Sequence, residues 1–205
     1  MKNYIVVGLT GQSGAGKTTA GKIFEQNGFS VINCDIIARN VTSEGSDCCK
    51  QLALYFPQCF DEKLVLNRRA LAEIVFNDSK KLELLNKIIF PFINADINKT
   101  VIEFANNGKK YILLDAPTLF EAGADKLCSC IVSCVAQREL RAKRIAIRDN
   151  IDMNLIISRF DSQKSEDFFK ERSDYIIENN GQVSDIEKQC KDIISSIKGR
   201  FDGEE

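Results

Sequence analysis

The sequence predicts an α/β fold in which a parallel sheet is flanked by helices, and three observations carry that prediction. The run Tyr4–Thr10 is apolar and bounded by glycines, as expected of a central strand covered on both faces. A Gly-rich stretch, helical spacing at Ala20, Ile23 and Phe24, and a second β-type run at Phe29–Cys34 follow it at once, so the chain opens as one βαβ unit. Further strand-like runs recur at Lys110–Asp115, Cys128–Val135 and Tyr175–Ile177 with helical patterns around them, and such recurrence belongs to a doubly covered parallel sheet.

In chain order, the first helix ends near Asn27–Gly28. From about Asp35 to Asn107 the pattern is helical, with Leu82, Leu85, Ile88 and Ile89 as one example and no convincing strand, so this stretch reads as an insertion. It is expected over the carboxyl edge of the strands, where such sheets bind ligands. After the strand ending at Val135, helices are expected at roughly 137–149, 152–163 and 165–172. Val183–Lys198 reads as a closing helix and Phe201–Glu205 as a frayed tail. The expected division is a core of 1–35, 108–136 and 166–200, an insertion of 36–107, and a separate helical segment of 137–165.

Composition narrows the function. The 205 residues suffice for one sizeable core with modest insertions. Lys and Arg number 28 against 29 Asp and Glu, which argues against a general nucleic-acid binder. The absence of His removes His-containing zinc sites and Ser-His-Asp or Cys-His nucleophiles. The apolar runs are far too short to span a bilayer and no secretory signal is visible, so a cytoplasmic protein with reduced thiols is expected. The 8 Cys include no Cys-x-x-Cys pair, and no zinc or iron–sulfur site is expected. Cys128, Cys130 and Cys134 share one parity of a strand read over Leu127–Val135 and are expected on one buried face.

The chemistry is concentrated in Gly11-Gln12-Ser13-Gly14-Ala15-Gly16-Lys17-Thr18-Thr19, which matches the phosphate-binding loop G-x-x-x-x-G-K-[ST] between a strand and a helix. Its backbone N–H groups wrap an anion, Lys17 reaches the β/γ-phosphates and the Thr18 hydroxyl ligates Mg²⁺. The fold class is therefore a P-loop NTPase-type parallel sheet core flanked by helices, with a helical insertion. No Asn-Lys-x-Asp stretch is present to read guanine, which leaves kinases and nucleotide-dependent assembly ATPases.

For a kinase, an acceptor-side carboxylate and cationic side chains near the phosphates are needed. Asp35, just past the second strand, could orient an acceptor hydroxyl, ligate the metal, or simply cap the helix that follows. Arg138, Arg141, Lys143, Arg144 and Arg148 accompany Glu139, with Arg141, Arg144 and Arg148 on one helical face. That row suits a lid over a transferring phosphoryl group, or a solvated helix face. Asp115 ends another strand as a second candidate near Mg²⁺ or as a helix cap, with Glu121 expected on the next short helix.

Together these residues resemble the dephospho-CoA kinase family. The resemblance runs through Gly8–Thr19, Val31–Arg39, Leu113-Leu114-Asp115-Ala116-Pro117-Thr118-Leu119-Phe120-Glu121, Arg144-x-x-x-Arg148-Asp149, Arg159-x-x-x-Gln163 and Ser173–Gly181. It implies ATP with Mg²⁺ as donor, dephospho-CoA as acceptor, a CoA-binding insertion over 36–107 and a lid over 137–165. It further implies that Asp35, Lys17 and Arg144 are catalytic, and that Arg148 and Asn179 join the loop in binding ATP. Arg39, Pro117, Leu119, Phe120 and Glu121 join Asp35 and Asp115 on the acceptor side. Asn33, Phe90 and Thr118 depart from the family pattern, which commonly has Asp, His and an aliphatic residue there. A related small-molecule or nucleoside monophosphate kinase is the alternative within the same loop-and-lid class.

Overall fold

The computed structural model describes residues 3–203. Its strands are β1 (Ile5–Gly11), β2 (Ser30–Asn33), β3 (Tyr111–Asp115), β4 (Cys130–Val135) and β5 (Tyr175–Glu178). The helices are α1 (Lys17–Gln26), α2 (Cys34–Val41), α3 (Asp47–Tyr55), α4 (Arg68–Phe76), α5 (Ser79–Asn106), α6 (Arg138–Asp149), α7 (Met153–Asp161), α8 (Glu166–Arg172) and α9 (Val183–Asp202). The five strands form one sheet in the order β2-β3-β1-β4-β5. β1 pairs in parallel with β3 and β4, and β4 with β5. The fold is therefore the helix-flanked parallel sheet that the apolar runs predict, with β1 at its centre and its middle residues Val6–Thr10 buried.

The described residues fall into two compact units, one holding residues up to Ile32 and from Phe104 onward, the other Asn33–Glu103. In the first, Val7, Leu9, Leu113, Val132, Cys134 and Ile177 of the strands pack with Phe24 of α1 and Ile186, Cys190, Ile194 and Ile197 of α9. The α9 set recurs at helical spacing, so one stripe of that helix is committed to the core. In the second, α3, α4 and α5 enclose Cys48, Leu52, Phe56, Leu71, Val75 and Ile88. Beyond Asn33, the last residue of β2, its described residues are helical apart from turns, loops and an isolated antiparallel bridge between Phe60 and Leu66. Pro91 lies inside the 28-residue α5, where its missing N–H leaves the Lys87 carbonyl without its helical partner.

Three expectations are corrected. The tail expected at Phe201–Glu205 is helical through Asp202. The Phe201 ring meets Tyr111 edge-on at 6.0 Å, and the Tyr111 hydroxyl donates to both Asp202 carboxylate oxygens at 2.7 and 2.8 Å. Residues 204 and 205 lie outside the described residues. Glu121 stands exposed in a run of turns rather than on a helix, and the short 3₁₀ helix comes later, at Ala124–Leu127. Cys128 falls before β4, half-buried, with its thiol on the Ala124 carbonyl at 3.6 Å, whereas Cys130 and Cys134 are buried in the sheet.

The remaining cysteines are buried too, and burial pushes the Cys48, Cys130 and Cys190 thiols up to about 11, and Cys134 further still. Thiolate, not thiol, attacks disulfide reagents. The native protein should therefore release one rapid equivalent of thionitrobenzoate from DTNB at pH 8, from Cys128, and the rest only on unfolding. Cys128→Ser should remove the rapid phase, and a rapid phase that persists in that variant would contradict the burial pattern.

Candidate active site

The loop between β1 and α1 is built by glycines whose geometry excludes side chains. Gly14 and Gly16 have φ of 78° and 99°, in the region that L side chains rarely adopt. Space is closed as well: a Cβ on Gly14 would lie 2.9 Å from the Arg141 carbonyl oxygen, and one on Gly16 would lie 2.3 Å from the Asn179 amide nitrogen. Gly16 precedes α1 and no side chain caps that helix. Its first-turn N–H groups and the positive end of its dipole thus point toward an anion site. Gly16→Ala should displace Asn179 and weaken ATP binding by at least tenfold in a calorimetric titration; unchanged affinity would refute this account of the loop.

Lys17 leads α1 and forms an ion pair with Asp115. The parallel register sets Leu9 of β1 beside Asp115 of β3, so the carboxylate emerges next to the loop that follows β1. Their side chains are only 17% and 14% exposed, and in such a setting each charge depends on the other. Asp115 is thus the partner of the loop lysine rather than a helix cap. Thr18, in the first turn of α1, is exposed.

The arginine row of α6 divides by contact. Arg141 and Arg144 turn to the loop, donating to the Ser13 and Gly14 carbonyls at 3.4 Å each. Arg144 also donates to the Asn179 carbonyl at 3.1 Å and to its side-chain oxygen at 3.0 Å, while the Asn179 amide donates to the Ala15 carbonyl at 2.9 Å. Arg148, expected beside Arg144, instead grips Asp149 through two hydrogen bonds of 2.7 and 3.0 Å, and Arg159 of α7 adds a third at 2.6 Å. The two guanidinium groups hold the Asp149 carboxyl well below the usual carboxylate range.

On the proposed acceptor side, the Asp115–Glu121 stretch is anchored by burial. Leu119 is fully buried and fills the space above Gly8, and the Pro117 carbonyl accepts from the Thr10 hydroxyl at 3.4 Å. Phe120 stands edge-on to Phe168 of α8 at 5.3 Å, with Phe169 beside both.

Asp35 and Arg39 belong to the second unit, both exposed on α2. The cap of α2 is Asn33, whose side chain accepts from the Asp35 and Ile36 N–H groups at 3.0 and 3.1 Å. Asp35 therefore lies in the first turn, and its carboxylate is not needed as a cap. Farther along, Ala38 of α2 and its C-cap Thr42 line an apolar cavity of about 250 Å³ with Leu71, Val75, Leu82 and Leu85. Arg68 stands at its side, donating to the Thr42 hydroxyl at 2.6 Å and to the Arg39 carbonyl at 3.1 Å.

Two loop supports were not singled out as site residues from sequence. In the sequence Arg141 stands only as a member of the arginine row that suits a lid or a solvated face. Gln163, in the connection after α7, accepts from the Ser13 N–H at 3.3 Å; the Arg159-x-x-x-Gln163 spacing was its only signal.

The sequence model of the family described as "Dephospho-CoA kinase" matches residues 5–185. A dephospho-CoA kinase of Lactobacillus johnsonii is 30% identical over 93% of this chain and 97% of its own length. One from Arabidopsis thaliana is 31% identical over 94% of this chain and 84% of its own length. The solved dephospho-CoA kinase of Campylobacter jejuni superposes with a TM-score of 0.71 at 27% identity, covering 98% of this chain and 100% of that one. A shikimate kinase from Acinetobacter baumannii shares the fold at a TM-score of 0.54 and 17% identity. With the family match extending through loop, insertion, arginine helix and last strand, the chain belongs to the dephospho-CoA kinase family.

Proposed function

We propose that the protein transfers the γ-phosphate of ATP to the 3′-hydroxyl of dephospho-CoA, giving CoA and ADP, and that the residues above divide the work as follows. The single observation that carries the reading is the loop itself, an uncapped helix start behind Gly16 with Lys17 already paired to a strand-end carboxylate, inside a family match that spans most of the chain. ATP phosphates lie on Gly11–Thr19 with Lys17 against the β/γ-oxygens. Arg144, supported by Gly14 and Asn179, adds positive charge at the loop. Arg148 contributes from the Asp149 and Arg159 cluster, and α6 with α7 acts as the lid over residues 137–165.

The insertion receives the acceptor. Asp35 and Ala38 of α2 and Thr42 at its C-cap are spaced i, i+3 and i+7, along one side of the helix. A ribose hydroxyl at Asp35 would leave the dimethyl-branched arm of dephospho-CoA along that face, toward the apolar cavity beside Thr42 and Leu71. Asp35 takes the hydroxyl proton as the oxygen attacks the γ-phosphorus, the new O–P bond forms, and the bond to the β-phosphate oxygen breaks with ADP as leaving group. Closure of the lid excludes water that would otherwise hydrolyse ATP. Arg39, Pro117, Phe120 and Glu121 complete the acceptor side, with the buried Leu119 fixing the stretch from beneath.

Thr18 and Asp115, with Asp35 as a further candidate, are hard oxygen donors that suit Mg²⁺. No group of three or more Cys, Asp or Glu side chains that could hold a metal gathers among the described residues. Held by these oxygens, Mg²⁺ would neutralise charge on the transferring group. The experiment that tests the reaction is product analysis: ³¹P NMR of the material made from ATP and dephospho-CoA should show a new phosphomonoester on the ribose 3′-oxygen, and release of inorganic phosphate alone would contradict the reading.

A further inference from the structure

Three consecutive carbonyls of the phosphate loop are each held by a side chain from outside the loop. Arg141 takes Ser13, Arg144 takes Gly14 and Asn179 takes Ala15. Across a planar trans peptide the carbonyl of one residue and the N–H of the next point in opposite directions. Drawing these carbonyls outward therefore turns the N–H groups of Gly14, Ala15 and Gly16 the other way. Ala15 spends its N–H on the Gln12 carbonyl at 3.1 Å, so Gly14 and Gly16 supply the donors that this arrangement aims at an anion.

Arg141 is the unusual member of the three. It is only 6% exposed, and its Nε donates to the Ala136 carbonyl at 3.0 Å. Its guanidinium carbon lies 4.3 Å above the Phe160 ring of α7. The Arg141 backbone also presses on Gly14, as the 2.9 Å contact that a Cβ there would make shows. One buried guanidinium thus joins the end of β4, the phosphate loop and the α7 side of the helix pair, with its Nε and one Nη donating to the Ala136 and Ser13 carbonyls.

We infer that Arg141 is a positioning residue for ATP binding: it transmits the packing of α6 and α7 to the shape of the loop and does not touch the transferring phosphoryl group itself. The inference rests on the assignment of the loop to ATP and needs no acceptor. Arg141→Met keeps an unbranched stem against Phe160 but removes the donors. Titrated calorimetrically with Mg·ADP, it should bind at least tenfold more weakly than the parent protein, with Arg141→Lys recovering part of the loss. In turnover, the rise in KM for ATP should exceed the fall in kcat. Phe160→Leu, which leaves every loop hydrogen bond donor in place, should shift ADP affinity in the same direction, and the double variant should lose less than the two single losses combined.

Thermal melting without ligand identifies a variant that fails to fold, in which case Phe160→Leu and Arg141→Lys carry the test. A folded Arg141→Met with parental ADP affinity would overturn the inference. So would a kcat loss of 100-fold or more with ADP affinity intact, which would make Arg141 a catalytic group. Should the parent protein bind ADP yet fail to phosphorylate dephospho-CoA, the acceptor reading falls while this one stands.

Discussion

Lys17→Ala should reduce turnover by on the order of 10³-fold or more, the scale on which removing a charge aimed at a transferring phosphoryl group is felt. The structure gives the expectation a second component. Lys17 is the ion-pair partner of Asp115, and both side chains are largely buried. Removing the ammonium leaves a carboxylate uncompensated beside the site where ATP phosphates are to bind, so ATP affinity should fall as well. Adding Asp115→Asn to Lys17→Ala should restore part of the ATP affinity without restoring turnover. Titration calorimetry with Mg·ATP and a coupled ADP assay separate the two effects, and a Lys17→Ala protein with full activity would remove the loop from the mechanism.

Asp35→Asn should lower kcat by about 10²- to 10⁴-fold, the usual contribution of a general base, with KM for ATP little changed. The cap geometry makes this a clean substitution. Asn33, not Asp35, caps α2, and the exposed Asp35 contributes only its backbone N–H to that cap. The variant loses at most a favourable charge at a helix start, about 0.3–1 kcal/mol, so its melting temperature should stay close to the parent value. A folded Asp35→Asn protein with near-normal kcat would assign proton removal to another group.

The sheet was legible because its strands are short apolar runs with both faces covered, a pattern that depends on local composition alone. The loop was legible for a similar reason, since its chemistry is written in contiguous residues. What escaped depends on contacts between distant positions. Phe201 and Asp202 look like the start of a polar tail until Tyr111 is beside them. Arg148 shares a helical face with Arg144, yet its neighbour Asp149 and the distant Arg159 decide where its guanidinium goes. Arg141 reads as one of three arginines on a face that suits either a lid or solvent, and only the stack on Phe160 and the carbonyls of Ala136 and Ser13 show it to be buried. Asn33, which departs from the family's usual Asp, keeps the capping oxygen that α2 needs, so the departure costs the helix nothing visible.

The acceptor specificity is the centre of the account, and the most direct measurement is ADP formation from Mg·ATP by the purified protein, with dephospho-CoA, AMP, CMP, adenosine or no acceptor. The predicted result is rapid turnover with dephospho-CoA and slow hydrolysis in every other tube. Equal hydrolysis in all tubes, or turnover with a nucleoside monophosphate in place of dephospho-CoA, would contradict it.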